Sequence, residues 1–347
     1  MEKAEVTLKS LAKELGLSIS TVSRALRNHP DVNTETKKKV MELATDLDYE
    51  PNILALNLLK KRANTIGVIV PYIGYHLYAR AISGIENVAN KAGYNIIICQ
   101  SNESFGSEAQ DVKDLISGRV AGFIISLSSE TEEFSHFKKI IQKGTPLVFF
   151  NRECEEIDTS KVVIDNYEAA YEATEHLISV GCKRVAYLGG PDTVQISNKR
   201  LEGYKAALKK NGQEIDESLF VHCGFSREET MTGARKMLFH TNPPDAVLAY
   251  SDQMAISMML VAKERGLQIP QELCVIGFNN EPVCELIEPA LTSISQPSFQ
   301  MGEIAAQRLL EQINASEESP FDPQKDVLKS KLIIRGSTNR HKKTPSG

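Results

Sequence analysis

The sequence predicts an α/β protein: a two-lobed body of parallel sheets behind an N-terminal all-α head. Three observations carry that expectation. Over roughly the first fifty residues, apolar side chains recur at helical spacing, with no strand-like run. From Asn64 onward nearly solid apolar runs alternate with amphipathic stretches, as strands covered on both faces require. After about residue 160 that alternation restarts, which implies two lobes. A chain of 347 residues is also too long for one ordinary core and suits two or three domains.

In the head, Thr7 can cap a first helix whose Leu8, Leu11, Ala12 and Leu15 share one face, and Gly16 can end it in a left-handed turn. Ser18 can cap a second helix running to Leu26. Its Val22, Ala25 and Leu26 face inward, leaving Ile19, Ser20, Thr21, Ser23, Arg24 and Arg27 outside. Asn33 opens a third helix with the stripe Val40, Leu43, Ala44 and Leu47, and with Lys37, Lys38 and Lys39 exposed. Helix, short glycine turn, helix is the unit that reads DNA, although any small helical bundle can use the same turn. Charge separates along the chain. Residues 1–62 carry 11 Lys/Arg and 9 Asp/Glu, a net +2; the remainder carries 29 and 36, a net −7. That polarity is expected if only the head meets a polyanion.

In the body, strand-like runs fall at 66–71, 95–100, 122–127 and 146–151, with amphipathic segments at 79–92, 107–117 and 131–143. Strand starts 29, 27 and 24 residues apart fit β-α-β units with right-handed crossovers. The second set places strands at 161–164, 184–188, 220–222, 246–249 and 274–277, and helices at 167–180, 197–211, 227–240 and 252–265. The chain is expected to cross between lobes near Asp165 and Leu291. A helix at 300–313 then rejoins the first lobe, a turn follows at 320–323, and a strand at 331–334 returns to the second.

Several function classes fall away. No apolar run approaches the ~20 residues of a membrane helix, and the first residues lack the apolar core of a signal peptide. Six widely spaced cysteines read as buried hydrophobes in a reducing compartment, so a soluble cytoplasmic protein is expected. Gly189-Gly190-Pro191 has the wrong spacing for a dinucleotide fingerprint, and no phosphate-cradling loop of the G-x-x-x-x-G-K type occurs. Seven histidines show no close ligand spacing. Neither a cofactor nor a metal is expected.

The stretch VTLKSLAKELGLSISTVSRALRN at 6–28, its continuation VNTETKKKVMELATDLDYEPNILALNL at 32–58, and the Tyr49-x-Pro-Asn52 step together resemble the LacI/GalR family of bacterial transcriptional regulators. Later landmarks follow in the family's order, among them Val163-Ile-Asp-Asn, Arg200-Leu-Glu-Gly-Tyr, Ser251-Asp-Gln-Met-Ala, Gly277-Phe-Asn-Asn, Leu291-Thr-Ser-Ile-Ser-Gln-Pro and Arg335-Gly-Ser-Thr. The likeness covers roughly residues 5–338. It implies a helix-turn-helix head at 1–50, a hinge helix and linker at 51–63, and a body at 64–338 resembling periplasmic sugar-binding proteins. The first lobe would take 64–164 and about 292–326, the second 165–291 and about 327–338, leaving a polar tail at 339–347.

The resemblance also implies roles. Ile19 and Ser20 would begin the recognition helix in the major groove, and Arg24 would read a guanine through its planar fork. Ile19 cannot hydrogen-bond a base, which leaves a thymine methyl as its contact. Thr7, Ser18, Thr21, Ser23, Asn33 and Thr36 would meet phosphates, although Ser18 and Asn33 would be caps in any helical protein. In the hinge, Asn52, Ala55 and Leu58 would face the minor groove, with Leu58 as the wedge that unstacks a base step.

Ligands of such sheets sit at the carboxyl ends of the strands. There the chain presents Asn151, Arg152, Asp165, Arg200, Phe225, Ser251, Asn279 and Gln296, a hydrogen-bonding set suited to a sugar or polyol, with Arg200 matching the family's ligand-clamping arginine. Asn279 departs from the aspartate of many sugar-responsive members, and Val194 lacks a polar group that some place in its loop. The expected protein is a regulator, most simply a repressor, that binds a palindromic double-stranded operator as a homodimer under control of a small effector. Its dimer face would include Ile82, Ile85 and Val88, and no leucine-heptad tail follows Thr338. Control by a protein corepressor is the alternative. A sugar-acting enzyme pairing Asp165 with Asp252, or a free-standing sugar-binding protein, fits less of the chain.

Overall fold

The computed structural model describes residues 6–26, 28–49, 64–316 and 320–340. The chain divides into two units at Ala63 and Asn64. Capping chemistry sets the helices of the first. Thr7 and Ser10 form a reciprocal capping box at the start of α1 (Leu8–Leu15), and Gly16 closes it at φ 64°. Ser18 Oγ accepts the Thr21 amide at 3.1 Å to begin α2 (Ile19–Leu26). Asn33 Oδ1 accepts the Thr36 amide at 2.7 Å to begin α3 (Thr34–Asp46). Leu11, Val22 and Val40 are fully buried between the helices, with Ala12, Ala25, Val32 and Ala44 around them.

The body holds two six-stranded sheets, each wrapped by helices on both faces. β1 (Thr65–Val70), α4 (His76–Lys91), β2 (Asn95–Gln100), α5 (Phe105–Ser117), β3 (Gly122–Ile125), α6 (Ser135–Gln142), β4 (Leu147–Phe150) and β5 (Ser160–Ile164) build the first. The second follows from α7 (Asn166–Ser179), β6 (Val185–Gly189), α8 (Gln195–Lys210), β7 (Phe220–His222), α9 (Arg227–Leu238), β8 (Ala246–Ala249), α10 (Asp252–Glu264), β9 (Cys274–Phe278), α11 (Val283–Leu286) and β10 (Thr292–Ser295). Then α12 (Ser298–Asn314) and β11 (Lys325–Leu328) rejoin the first lobe, and β12 (Lys331–Ile333) ends in the second. The orders are β11-β5-β4-β3-β1-β2 and β12-β10-β9-β8-β6-β7, parallel except for β12. Strand alternation decides which layer each residue joins. Ile66, Val68, Val148 and Phe150 pack under α4 and α12, whereas Ile69, Phe123, Leu147 and Phe149 pack under α5 and α6. Among the described residues no helix is long and apolar enough to cross a membrane.

The strand pairing and the helix packing correct three expectations. The second crossing comes after Ser295, not Leu291, because Thr292, Ser293 and Ile294 pair in parallel with Ile276, Gly277 and Phe278 of the second sheet. The third comes after Leu328, since Val327 and Leu328 pair with Val163 and Ile164 of the first. The dimer face expected at Ile82, Ile85 and Val88 is covered instead. Ile82 is 8% exposed and Ile85 0%, and Val88 packs against the same core. The cause is α12, which lies close along α4: a Cβ on Gly84 would stand 2.1 Å from Phe299 O, and one on Gly302 1.9 Å from Ala81 O. Only glycine permits that approach.

Candidate functional site

On the head, α2 presents Ile19, Ser20 and Arg24 to solvent, with Ile19 50% exposed. Thr21 and Ser23 are half-buried beside them. Ser18 Oγ lies 2.8 Å from both Ser20 Oγ and Thr21 Oγ1, so a hydroxyl cluster marks the N-terminus of α2. Thr7, Ser18 and Asn33 all accept backbone amides as caps, which leaves them outside the helices yet exposed, and Thr36 is half-buried at the start of α3. Such a face can lay short polar groups and one guanidinium into a groove while helix N-termini meet phosphates. Arg27, Asn52, Ala55 and Leu58 lie outside the described residues.

In the body the lobes enclose a cleft of about 360 Å³ at the carboxyl ends of their strands. Seven of the eight expected ligand residues line it: Asn151, Arg152, Arg200, Phe225, Ser251, Asn279 and Gln296. Asp165 does not. It is exposed and caps α7 by accepting the Glu168 amide at 2.9 Å, because the crossing from β5 turns directly into that helix. The bend after β4 delivers Asn151 at φ 58° and the turn after β9 delivers Asn279 at φ 102°, both left-handed positions that asparagine tolerates.

Arg152 donates to both oxygens of Glu103, at 2.6 and 3.0 Å, and its guanidinium stands 5.1 Å from the Phe225 ring centre. Arg200 is 2% exposed. Its Nε donates to Asn166 Oδ1 at 2.9 Å and its Nη1 to Tyr250 O at 2.6 Å, while the rings of Phe278 and Tyr250 flank it at 3.7 and 4.7 Å. Burial holds its pKa below the ordinary arginine value. Gln296 Nε2 donates to Asn279 Oδ1 at 2.7 Å, leaving Gln296 Oε1 buried without a partner. Ser251 caps α10 through the Met254 amide at 3.3 Å.

Sequence reasoning missed Tyr75, Tyr78, Thr230 and Tyr250 on the cleft wall and Glu103 behind Arg152. Tyr75 and Tyr78 follow β1 and Tyr250 follows β8, so the strand-end rule that found Asn151 would have found them too. Burial pushes the Tyr78 phenol up to about 12, so it stays protonated, and it accepts a hydrogen bond from Asn151 Nδ2 at 3.1 Å. Away from the cleft, bonds from Thr193 Oγ1 to Ser129 O at 3.1 Å and from Gln195 Nε2 to Glu155 Oε1 at 2.6 Å tie one lobe to the other. Among the described residues no group of three or more His, Cys, Asp or Glu is placed to hold a metal.

A family model for bacterial regulatory proteins of the lacI family matches residues 7–52, and one for a periplasmic binding protein-like domain matches residues 174–338. Catabolite control protein A of Priestia megaterium is 32% identical over 89% of this chain and 93% of its own. The HTH-type transcriptional regulator DegA of Bacillus subtilis is 31% identical over 96% of this chain and 98% of its own. Among solved structures, a complex of the transcriptional regulator CelR with cellobiose aligns with a TM-score of 0.73 at 27% identity, covering 96% of this chain and 100% of that one. A lac repressor dimer bound to operator and the anti-inducer ONPF aligns at 0.84, with 23% identity over 96% of this chain and 99% of that one, and shares the fold. With 89% and 96% of the chain matched to two transcriptional regulators at 32% and 31% identity, it belongs to the LacI family of bacterial regulatory proteins and is a sequence-specific, DNA-binding transcriptional regulator, not an enzyme.

Proposed function

We propose that this regulator is a cytoplasmic homodimeric repressor whose hold on a palindromic operator is set by a small hydroxylated ligand in the interlobe cleft. The observation that carries this reading is Gln296 Oε1, an acceptor buried without a partner in the wall of an arginine-bearing cleft. An unsatisfied buried acceptor costs about 1–3 kcal/mol, which a ligand hydroxyl would recover. Phe225 offers an aromatic face for a sugar ring, and the bound cellobiose of the CelR complex adds support for a carbohydrate. On the DNA side, the exposed Ile19, Ser20 and Arg24 suit a major groove. Residues 51–63 would be the hinge, with Asn52, Ala55 and Leu58 on the minor groove. For the dimer, the edge strand β2 leaves Ile97 and Ile98 46% and 40% exposed. Exposed Ile73 is tied to its end through Gln100 Oε1, at 2.9 Å from the Ile73 amide. A self-complementary C2 pairing of that edge would bury them.

Calorimetry on the full chain, with and without its operator, tests the reading. Ligand and operator must change each other's affinity by the same factor, typically worth about 1–3 kcal/mol. Ligand binding that is indifferent to operator DNA would overturn the sensor role.

A further inference from the structure

The cleft carries an unbalanced charge. Of its arginines, Arg152 is neutralised by Glu103 at 2.6 and 3.0 Å. Arg200 donates to neutral acceptors, Asn166 Oδ1 and Tyr250 O, and among the described residues no carboxylate lies within ion-pairing distance of it. Asp252, the carboxyl whose field reaches it, is engaged elsewhere: Oδ1 accepts Ser293 Oγ at 2.5 Å and Oδ2 the Glu281 amide at 2.8 Å. Arg227 adds a third guanidinium at the wall, and no described residue lining the cleft is an aspartate or glutamate.

The other polar groups lining the cleft are neutral. Asn279 Oδ1 already takes a bond from Gln296 Nε2 at 2.7 Å, and as an amide it brings no charge to offset the arginines. The wall therefore carries positive charge with no negative charge lining it, and it buries a cation without an ion-pair partner. A guanidinium that is 2% exposed and unpaired is expensive to hold out of water. Burial accordingly lowers its proton affinity.

We propose that the missing partner is the ligand: a small hydroxylated molecule bearing one carboxylate or phosphate group, whose negative charge pairs with Arg200. This rests on the cleft being the effector site and names the class of molecule it takes. A carboxylate or phosphoryl group supplies two or more acceptor oxygens for the Arg200 fork, and its charge is felt more strongly in a water-poor cleft than in solution. The hydroxyls of the same molecule then reach Gln296 Oε1. A volume of about 360 Å³ lies within the range of small-ligand sites.

The test titrates the full chain at constant ionic strength with D-glucose, D-glucuronate, D-glucose 6-phosphate and inorganic phosphate, by calorimetry and thermal shift. At least one anion is expected to bind about 10-fold or more tightly than glucose, since a charge-assisted bond exceeds a neutral one by about that factor. Which anion does so separates the carboxylate from the phosphate source. Arg200→Met should erase the preference. Asn279→Asp, a milder change, should weaken the anion about 10-fold relative to glucose. Glucose binding as tightly as every anion, no anion binding at all, or anion affinity unaltered in both variants would each overturn the proposal. The regulatory reading fails separately, through an anion that binds the cleft while operator affinity stays constant. Glucose alone binding and shifting operator affinity would leave that reading intact and remove the charge assignment.

Discussion

Two arginines show how exposure decides a side chain's work. Arg24 is exposed on α2, where its fork is free to meet a base edge; Arg200 is buried between aromatic rings, where it can act only on what enters the cleft. Arg24→Ala is expected to cost about 1–3 kcal/mol on the cognate operator and to flatten discrimination at one base pair. Competition binding with single-base operator variants checks this, and equal losses on cognate and scrambled duplexes would remove Arg24 from base reading. Arg200→Ala should lose the response to ligand yet keep ligand-free operator affinity, as read by the same assay with and without ligand. Both residues were singled out in the sequence through the family resemblance. The neutral surroundings of Arg200 were not, since Asn166, Tyr250 and Phe278 come from three separate elements.

At the scale of elements, α3 and the α4–α12 pair make contrasting contributions. Lys38 and Lys39 are exposed on α3 and, among the described residues, pair with Glu42 and Glu35 one turn away, at 3.9 and 2.9 Å, contacts worth little in water. Lys38→Ala should thus weaken binding evenly across DNA sequences and reduce the salt slope by at most ~1, measured on cognate and scrambled duplexes over a salt series. The α4–α12 contact is instead a matter of shape. Gly84→Ala would set a methyl 2.1 Å from Phe299 O, and overpacking of this kind should cost about 1–3 kcal/mol in urea unfolding. An unchanged denaturation midpoint would mean that the helices can part freely. That contact also explains why Ile82 and Ile85 serve the core.

For the whole molecule, division into two units leads to a simple expectation: removing residues 1–61 should abolish operator binding and leave a cooperatively folding body, because the body owns separate cores on both faces of each sheet. Gel-shift assays and urea unfolding of the truncated chain decide it. The body should also respond to pH. Burial pushes Asp252 up to about 7, against ~3.9 in an unfolded chain. The native state therefore holds that proton more tightly. The stability this lends is complete below pH ~4 and is lost as pH rises through about 7, falling by at most about 1.4 kcal/mol for each step of one pH in between. Asp252→Asn forfeits one acceptor for Ser293 or Glu281, so it should be less stable at pH 5 but flatter toward pH 8. Identical pH slopes in urea titrations of the two proteins would count against Asp252 as the source.

The sequence by itself determined what depends on neighbours along the chain. Caps at Thr7, Ser18 and Asn33, the glycine stop at Gly16, and the alternation of apolar strands with amphipathic helices are local signals, and they were enough for the head, both lobes and seven of the eight cleft residues. Tertiary structure decided what depends on partners far away. Thr292 to Ser295 and Lys325 to Leu328 carry no apolar run of their own, and their sheets are chosen by pairing with β9 and β5. Asp165 looked like a ligand group because it ends a strand, but the turn into α7 claims its carboxylate as a cap. Ile82 and Ile85 looked exposed until a helix more than two hundred residues later covered them. Burial and charge balance are sums over elements brought together by folding, and no local period encodes them.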